Sequence, residues 1–184
     1  FVSEATSSSV TAIVHNASLI KKTYVPKYIF VLSKITSSLV NMLFAMIALI
    51  LVMIFTQVEI TLNVLWVPII FLELYIFSLG LGFILSASTV FFRDIQYLWG
   101  VFTSIWMYLT PIIYPVSIIS QEYRWWYDNL NPMVNYVEQF RDVILNSQSL
   151  SIESLSQGFI ISIILLLVGI WFFNRKENEF ILYI

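Results

Sequence analysis

Four long apolar stretches, residues 35–55, 62–92, 97–115 and 159–173, decide what this chain can become. An α-helix rises ~1.5 Å per residue, so about 20 apolar residues cross a ~30 Å hydrocarbon core. The first stretch has that length. The second exceeds it and is expected to tilt or to run past the interface. The third contains no charged residue, and the fourth becomes long enough when residues 155–158 extend it. In hydrocarbon every backbone amide and carbonyl must be satisfied within the chain, which leaves helices for such stretches. The expected fold class is all-α, a polytopic α-helical membrane protein with four complete spans. Composition agrees, since 11% of the residues are charged against about 25% in a soluble domain.

Charge orients the spans. If the four simply alternate, seven of the nine Lys and Arg residues (Lys21, Lys22, Lys27, Lys34, Arg93, Arg175 and Lys176) fall on one side. Only Arg124 and Arg141 fall on the other. The excess of Lys and Arg marks the cytoplasmic side. Residues 1–34, the Arg93 turn and the C-terminus are therefore placed inside, and residues 56–61 and 118–157 outside. The net charge of -2 and the lack of a basic block give no footing for nucleic acid. Cysteine is absent and His15 is the only histidine, which removes thiolate chemistry, a histidine metal cluster and a Ser–His–Asp triad within the chain. The acidic residues show no paired spacing of a hydrolase. Asn16-Ala17-Ser18 fits a glycosylation acceptor but lies on the predicted inner side.

Two regions lie outside the spans. Residues 1–34 are serine-rich at the start and basic further on, with Val10, Ile13 and Val14 forming a weak helical stripe. That stripe suits a short helix lying in a groove of a partner or resting on lipid headgroups beside Lys21 and Lys22. Pro26 turns Val25 away from helix and separates this region from the first span. Residues 116–157 carry too many apolar side chains for a solvated loop, among them Ile118, Ile119, Trp125, Trp126, Met133, Val137, Phe140 and Ile144. Asn131-Pro132 fits a helix start, with asparagine as cap and proline in the first helical position. Two short helices dipping into the outer leaflet or lying on it are expected, and re-entrant pieces survive at membrane depth only when buried in protein or lining a cavity. An outer gate is assigned to Pro111, Asn131, Pro132, Phe140, Arg141 and Asp142.

Several side chains allow more than one reading. Arg93-Asp94 closes the short inner turn and either relays movement from a partner or anchors the helix ends at the interface. Glu73 lies inside a span, where an ionisable group is a functional hypothesis by default. It faces a substrate path, hydrogen-bonds a neighbouring helix while protonated, or sits at an interface. Trp99, Trp106, Tyr108 and Tyr114 stack on sugar rings or form an interfacial aromatic belt.

Four motifs in order, Phe92-Arg93-Asp94-Ile95, Thr110-Pro111-Ile112-Ile113-Tyr114, Asn131-Pro132-Met133 and Phe140-Arg141-Asp142, give the chain a resemblance to the ABC-2 type permeases. The subgroup it is most similar to exports lipid-linked cell-surface polysaccharides such as O-antigen and teichoic acid. Upstream, residues 16–26 (Asn16-Ala17-Ser18-Leu19-Ile20-Lys21-Lys22-Thr23-Tyr24-Val25-Pro26) resemble that family's segment after its second span. The resemblance covers residues 1–184 as one permease domain. It implies six spans after an interfacial helix, of which this chain would lack the helix, the first span and most of the second. The opening Phe1-Val2-Ser3-Glu4, without methionine, fits such a piece. Val25-Pro26-Lys27 and Glu73 depart from the family's usual pattern.

What the resemblance implies is a half-transporter in the bacterial cytoplasmic membrane: two permease copies over two separate ABC ATPase subunits, moving a lipid-linked glycan outward. ATP and Mg would sit on the partner, and the chain itself would bind no cofactor and carry no enzyme activity. The sequence contains no G-x-x-x-x-G-K-[ST] phosphate loop. Coupling to the ATPase is assigned to Val10, Ile13, Val14, Leu19, Ile20, Lys21, Lys22, Arg93 and Asp94. The substrate path is assigned to Glu73, Trp106, Tyr108 and Tyr114. The rival readings are an ABC-2 exporter of a drug or small lipid, an ion-coupled secondary transporter, for which Glu73 is the single intramembrane charge, and a membrane-embedded glycan enzyme. The orientation is tested directly because no native cysteine interferes. Gln57→Cys and Asn129→Cys are expected to react with an impermeant thiol reagent in intact cells. Lys22→Cys, Gln96→Cys and Asn178→Cys are expected to react only after permeabilisation, and labelling of Lys22→Cys from outside would reverse the assignment.

Overall fold

A computed structural model describes residues 1–57, 61–114 and 131–184, together with Ser120, Glu122, Arg124, Trp125 and Tyr127. The described elements are helical: α1 (Val2–Val10), α2 (Ala12–His15), α3 (Ala17–Lys22), α4 (Tyr28–Thr56), α5 (Val67–Phe91), α6 (Ile95–Leu109), α7 (Pro132–Ile144), α8 (Ile152–Lys176) and α9 (Phe180–Tyr183). A 3-10 turn, Leu62–Trp66, leads into α5. Three segments are long and apolar enough to cross a membrane: Tyr28–Thr56, Leu62–Phe91 and Ile152–Tyr183. The all-α polytopic class stands.

The stretch 97–115 differs in detail. Its helix, α6, has 15 residues, or about 22 Å at the usual rise. Pro111 sets the limit, since its ring excludes helical backbone at the preceding residue. Thr110 is accordingly extended, with ψ 130. The first of the two expected outer helices falls mostly outside the described residues, as do Pro115, Ile118, Ile119, Trp126 and Asn129.

Helix α5 is the centre of the bundle. It is buried along most of its length and touches α1, α4, α6, α7 and, most extensively, α8. The α5–α8 contact is backbone on backbone. A Cβ added to Gly80 would stand 2.6 Å from the Leu165 carbonyl carbon, and Gly169 packs in turn on the Gly80 carbonyl. Small residues let membrane helices approach this closely, and dispersion then holds them together. Two apolar clusters flank the contact. One includes Ile13, Ile35, Phe83, Phe173 and Phe180, the other Met53, Ile70, Phe71, Val143 and Ile144. The outward surfaces of α4 and α8 present Leu43, Phe44, Ile47, Ile164 and Leu167. An apolar face of that extent is a lipid contact for a membrane protein and an aggregation patch for a soluble one.

The serine-rich start is placed otherwise than its composition implies. Residues 1–34 read as an inner region with a helix docked on a partner or on lipid headgroups, whereas α1 and α2 lie within the bundle against α4, α5 and α6. Ala5, Thr6, Ser9, Val10, Ala12 and Ile13 are buried. The hydroxyls do not need water, because they bond to carbonyls of their own helix: Thr6 Oγ1 to Val2 at 2.7 Å, Ser8 Oγ to Ala5 at 2.9 Å and Ser9 Oγ to Thr6 at 2.8 Å. Polar composition here signals close helix packing. Only from α3 onward does the segment turn to the surface.

The two ends of the bundle agree with alternating spans. At one end Lys27 Nζ donates to the Glu177 carbonyl, Lys176 Nζ lies 5.3 Å over the Phe91 ring, and Phe91 meets Tyr183 at 4.8 Å. The start of α4, the α5–α6 turn and the C-terminal tail thus share one end. At the other end Asn63 Nδ2 donates to the Ser147 carbonyl at 2.7 Å. The bundle's dependence on α5–α8 contact is testable with paired substitutions. Gly80→Val is expected to lower the thermal midpoint of the detergent-solubilised protein, with an overpacking loss of about 1–3 kcal/mol or more. Gly100→Ala, where an added Cβ meets nothing within 4 Å, is expected to leave it unchanged. Equal midpoints for the two variants would show that α5 and α8 do not touch at Gly80.

Candidate functional site

The outer helix α7 begins as the sequence implies. Asn131 Oδ1 accepts the Met133 amide at 3.2 Å and Pro132 occupies the first turn. Asn131 also reaches across to α6. Trp106 Nε1 donates to its Oδ1 at 2.8 Å, and its Nδ2 donates to Thr110 Oγ1 at 3.2 Å. Nearly three turns along α7, Arg141 Nη2 donates to the Ile112 carbonyl at 2.9 Å. Both parts of α7 therefore hold the Thr110–Ile112 bend, Asn131 at the Thr110 hydroxyl and Arg141 at the Ile112 carbonyl. Phe140 stacks on Phe71 of α5, with ring centroids 6.3 Å apart. Asp142 accepts a bond from Asn146 at 2.8 Å.

The other face of α7 is polar and fits into α8. Asn135 Nδ2 and Gln139 Nε2 both donate to the Ser154 carbonyl at 3.0 Å, and Ser154 Oγ donates to Asn135 Oδ1 at 2.7 Å. The Tyr136 hydroxyl donates to the Gly158 carbonyl at 3.0 Å and stands 2.7 Å from Ser162 Oγ. Ser162 Oγ in turn lies 3.0 Å from the main-chain carbonyl of Glu73 on α5. The result is a polar seam uniting three helices. In hydrocarbon such bonds act as glue between helices, at about 0.6–2 kcal/mol each.

Glu73 ends this seam and is fully buried. The Gln139 side chain lies beside its carboxyl, yet neither Glu73 oxygen nor Gln139 Oε1 makes a hydrogen bond of good geometry. Room for the carboxyl comes from Gly158, where a Cβ would stand 2.5 Å from Glu73 Oε2. Beside the seam an apolar cavity of ≈ 510 Å³ opens between α1, α4, α5, α6 and α7, lined by Met42, Leu74, Trp106, Met107, Tyr136 and Phe140 among others.

The residues assigned from sequence fall into distinct places. Of the gate set, Pro111, Asn131, Pro132 and Arg141 converge on the α6–α7 junction, Phe140 stacks on α5, and Asp142 bonds within its own helix end. Arg141 and Asp142 do not pair with each other. Of the path set, Glu73 is enclosed between helices and Trp106 is engaged with Asn131 and with Phe77. Tyr108 is exposed on α6, and Tyr114 donates to the Tyr108 carbonyl at 3.0 Å. Trp99 donates to Thr6 Oγ1 at 3.0 Å, which makes it a packing residue here.

Of the coupling set, Val10 and Ile13 are in the core and Val14 packs against it, so these three present no docking surface. Leu19, Lys21 and Lys22 on α3 are exposed, with Ile20 turned inward as the anchor. Arg93 and Asp94 are exposed at the α5–α6 turn.

The seam residues Asn135, Tyr136, Gln139, Ser154, Gly158 and Ser162 escaped the sequence reading. Their signal was present: 135 and 139, and 154, 158 and 162, recur at helical spacing on one face. What periodicity cannot give is which two faces meet.

Comparison with known proteins adds the final observation. Residues 1–145 match the family described as ABC-2 type transporter. Two proteins of Klebsiella pneumoniae named O-antigen export system permease protein RfbA are 28% and 29% identical to the chain over 181 residues, covering 98% of it and 69% of each relative. A protein of the same name from Myxococcus xanthus is 28% identical over 180 residues, covering 97% of the chain and 69% of that relative.

Proposed function

Because this chain belongs to the ABC-2 type transporter family, we propose that it is the permease subunit of an exporter that carries a lipid-linked polysaccharide outward across the bacterial cytoplasmic membrane. The observation supporting the cargo is the similarity, over 98% of the chain, to permeases named for O-antigen export. The work of ATP hydrolysis, with its Mg, falls to separate ATPase subunits, two of them beneath two permease copies. The C-terminus lies in the cytoplasm, on the side that carries Lys21, Lys22, Lys27, Arg93, Arg175 and Lys176.

The permease receives motion at its inner end and transmits it to its outer end. At the inner end α3 and the Arg93-Asp94 turn are exposed, and α3 carries an apolar Leu19 beside Lys21 and Lys22. That combination suits a helix seated in a groove of an ATPase subunit. Motion passes along α5, which touches the other principal helices. At the outer end α7, fixed to the α6 bend through Asn131 and Arg141, forms the gate. The exposed aromatic Tyr108 on α6 faces the glycan path, where its ring offers stacking area and a hydroxyl.

Two variants and a deletion test this reading. Removing the protein is expected to abolish surface polysaccharide and to leave lipid-linked glycan accumulated on the inner leaflet. Leu19→Asp is expected to lower export about tenfold and to weaken co-purification of the ATPase subunits, with permease abundance near normal, as when an apolar anchor is lost from an interface. Ile13→Asp, a charge forced into the bundle, is expected to deplete the protein itself. Unchanged surface polysaccharide on deletion would refute the cargo. Full export by Leu19→Asp would place coupling elsewhere.

A further inference from the structure

We propose that Glu73 is a positioning residue for the outer helix: it seats α7 on α5 and α8 by meeting Gln139 across the bare backbone of Gly158. Three helices contribute one residue each to this contact, Glu73 from α5, Gln139 from α7 and Gly158 from α8. All three are buried. A Cβ on Gly158 would stand 2.5 Å from Glu73 Oε2, 3.0 Å from Glu73 Cδ and 3.1 Å from Gln139 Nε2. The glycine thus leaves space that both side chains occupy.

The choice of glutamate is informative because leucine fills a similar volume without the penalty of a carboxyl in hydrocarbon. Its surroundings are built for a polar group. One turn away Ser162 Oγ approaches the Glu73 carbonyl at 3.0 Å and the Tyr136 hydroxyl at 2.7 Å. Gln139 Nε2 carries two hydrogens: one goes to the Ser154 carbonyl, and the other is left for the Glu73 carboxyl beside it. The Glu73 carboxyl offers an acceptor on the Nε2 side of Gln139, which a leucine would not. Tyr136 is the titratable group that faces Glu73 from α7, and its hydroxyl donates to the Gly158 carbonyl. Since α7 also carries Phe140, Arg141 and the Asn131 cap, whatever seats α7 sets the position of the whole α6–α7 junction. The seating follows from geometry alone; its consequence for export rests on the function proposed above.

The test uses the cysteine-free chain in its native membrane. Val143 is buried on α7 in the cluster with Ile70 and Phe71, so a Val143→Cys thiol reports unseating through its rate of reaction with N-ethylmaleimide. With Glu73 intact the thiol is expected to react slowly. Added Glu73→Leu, which favours membrane insertion, is expected to speed labelling about tenfold and to reduce export in parallel, as loss of interhelical polar bonds does. Glu73→Gln keeps the size and an amide oxygen that accepts from Gln139 Nε2, so labelling and export are expected to stay within about twofold of the parent. Gln139→Leu breaks the same contact from the other side and is read alongside, so that poor accumulation of one variant does not decide the outcome. Slow labelling and full export in Glu73→Leu would overturn the proposal. So would a Glu73→Gln variant that behaves like Glu73→Leu, because the negative charge would then be the feature in use. If export of the polysaccharide were indifferent even to deletion of the protein, the cargo assignment would fail while the labelling rates still judged the seat.

Discussion

The close approach of α5 and α8 at Gly80 and Gly169 is the contact on which the other arrangements depend. With the two backbones touching, α5 becomes a core helix with its far side free to receive α1, α4 and α7. The hydrophobic effect offers little drive between helices already in lipid. Dispersion over a tight interface and interhelical hydrogen bonds have to supply the cohesion. The sequence is consistent with that division. Glycines and short hydroxyl residues occupy the crossings, and Phe, Leu and Ile cover the outward faces of α4 and α8.

From this spine the chain sorts its polar groups into three fates. Serine and threonine hydroxyls on α1 close on their own helix and permit packing. The amides and hydroxyls of α7 and the start of α8 close on each other and make a seam. Lys27 and Lys176 gather at one end, where they pair with a carbonyl, a carboxylate and aromatic faces. These fates explain how a chain with so much buried polarity remains a membrane bundle. They also give its ends different characters: a charged end with an exposed short helix, and an outer end in which a capped helix covers a proline-broken one.

Much of this was legible in the residues. Apolar run length located α4, α5 and α8, because the span of a bilayer fixes how many residues a helix needs. Asn131-Pro132 announced the start of α7 through cap chemistry that is local to four residues. Two features were not legible for physical reasons. The burial of α1 was hidden because serine and threonine count as polar in composition, although their hydroxyls are satisfied inside the helix. The seam was hidden because its partners, 135–139 and 154–162, belong to separate helices, and helical spacing reports a face without naming what the face meets. The length of α6 lies between these cases: Pro111 was visible, but apolarity carried the expected span past it.

If α7 is the gate proposed above, it opens by leaving its seat on α8 while the closely packed α5–α8 pair stays in place. Asn135 and Ser154 touch across that seat at 2.7 Å, and neither lies in the α6–α7 junction. The most direct test is export by the Asn135→Cys/Ser154→Cys double variant before and after oxidation to the α7–α8 disulfide. The account predicts that the disulfide stops export and that reduction restores it. Undiminished export with the disulfide closed would contradict it.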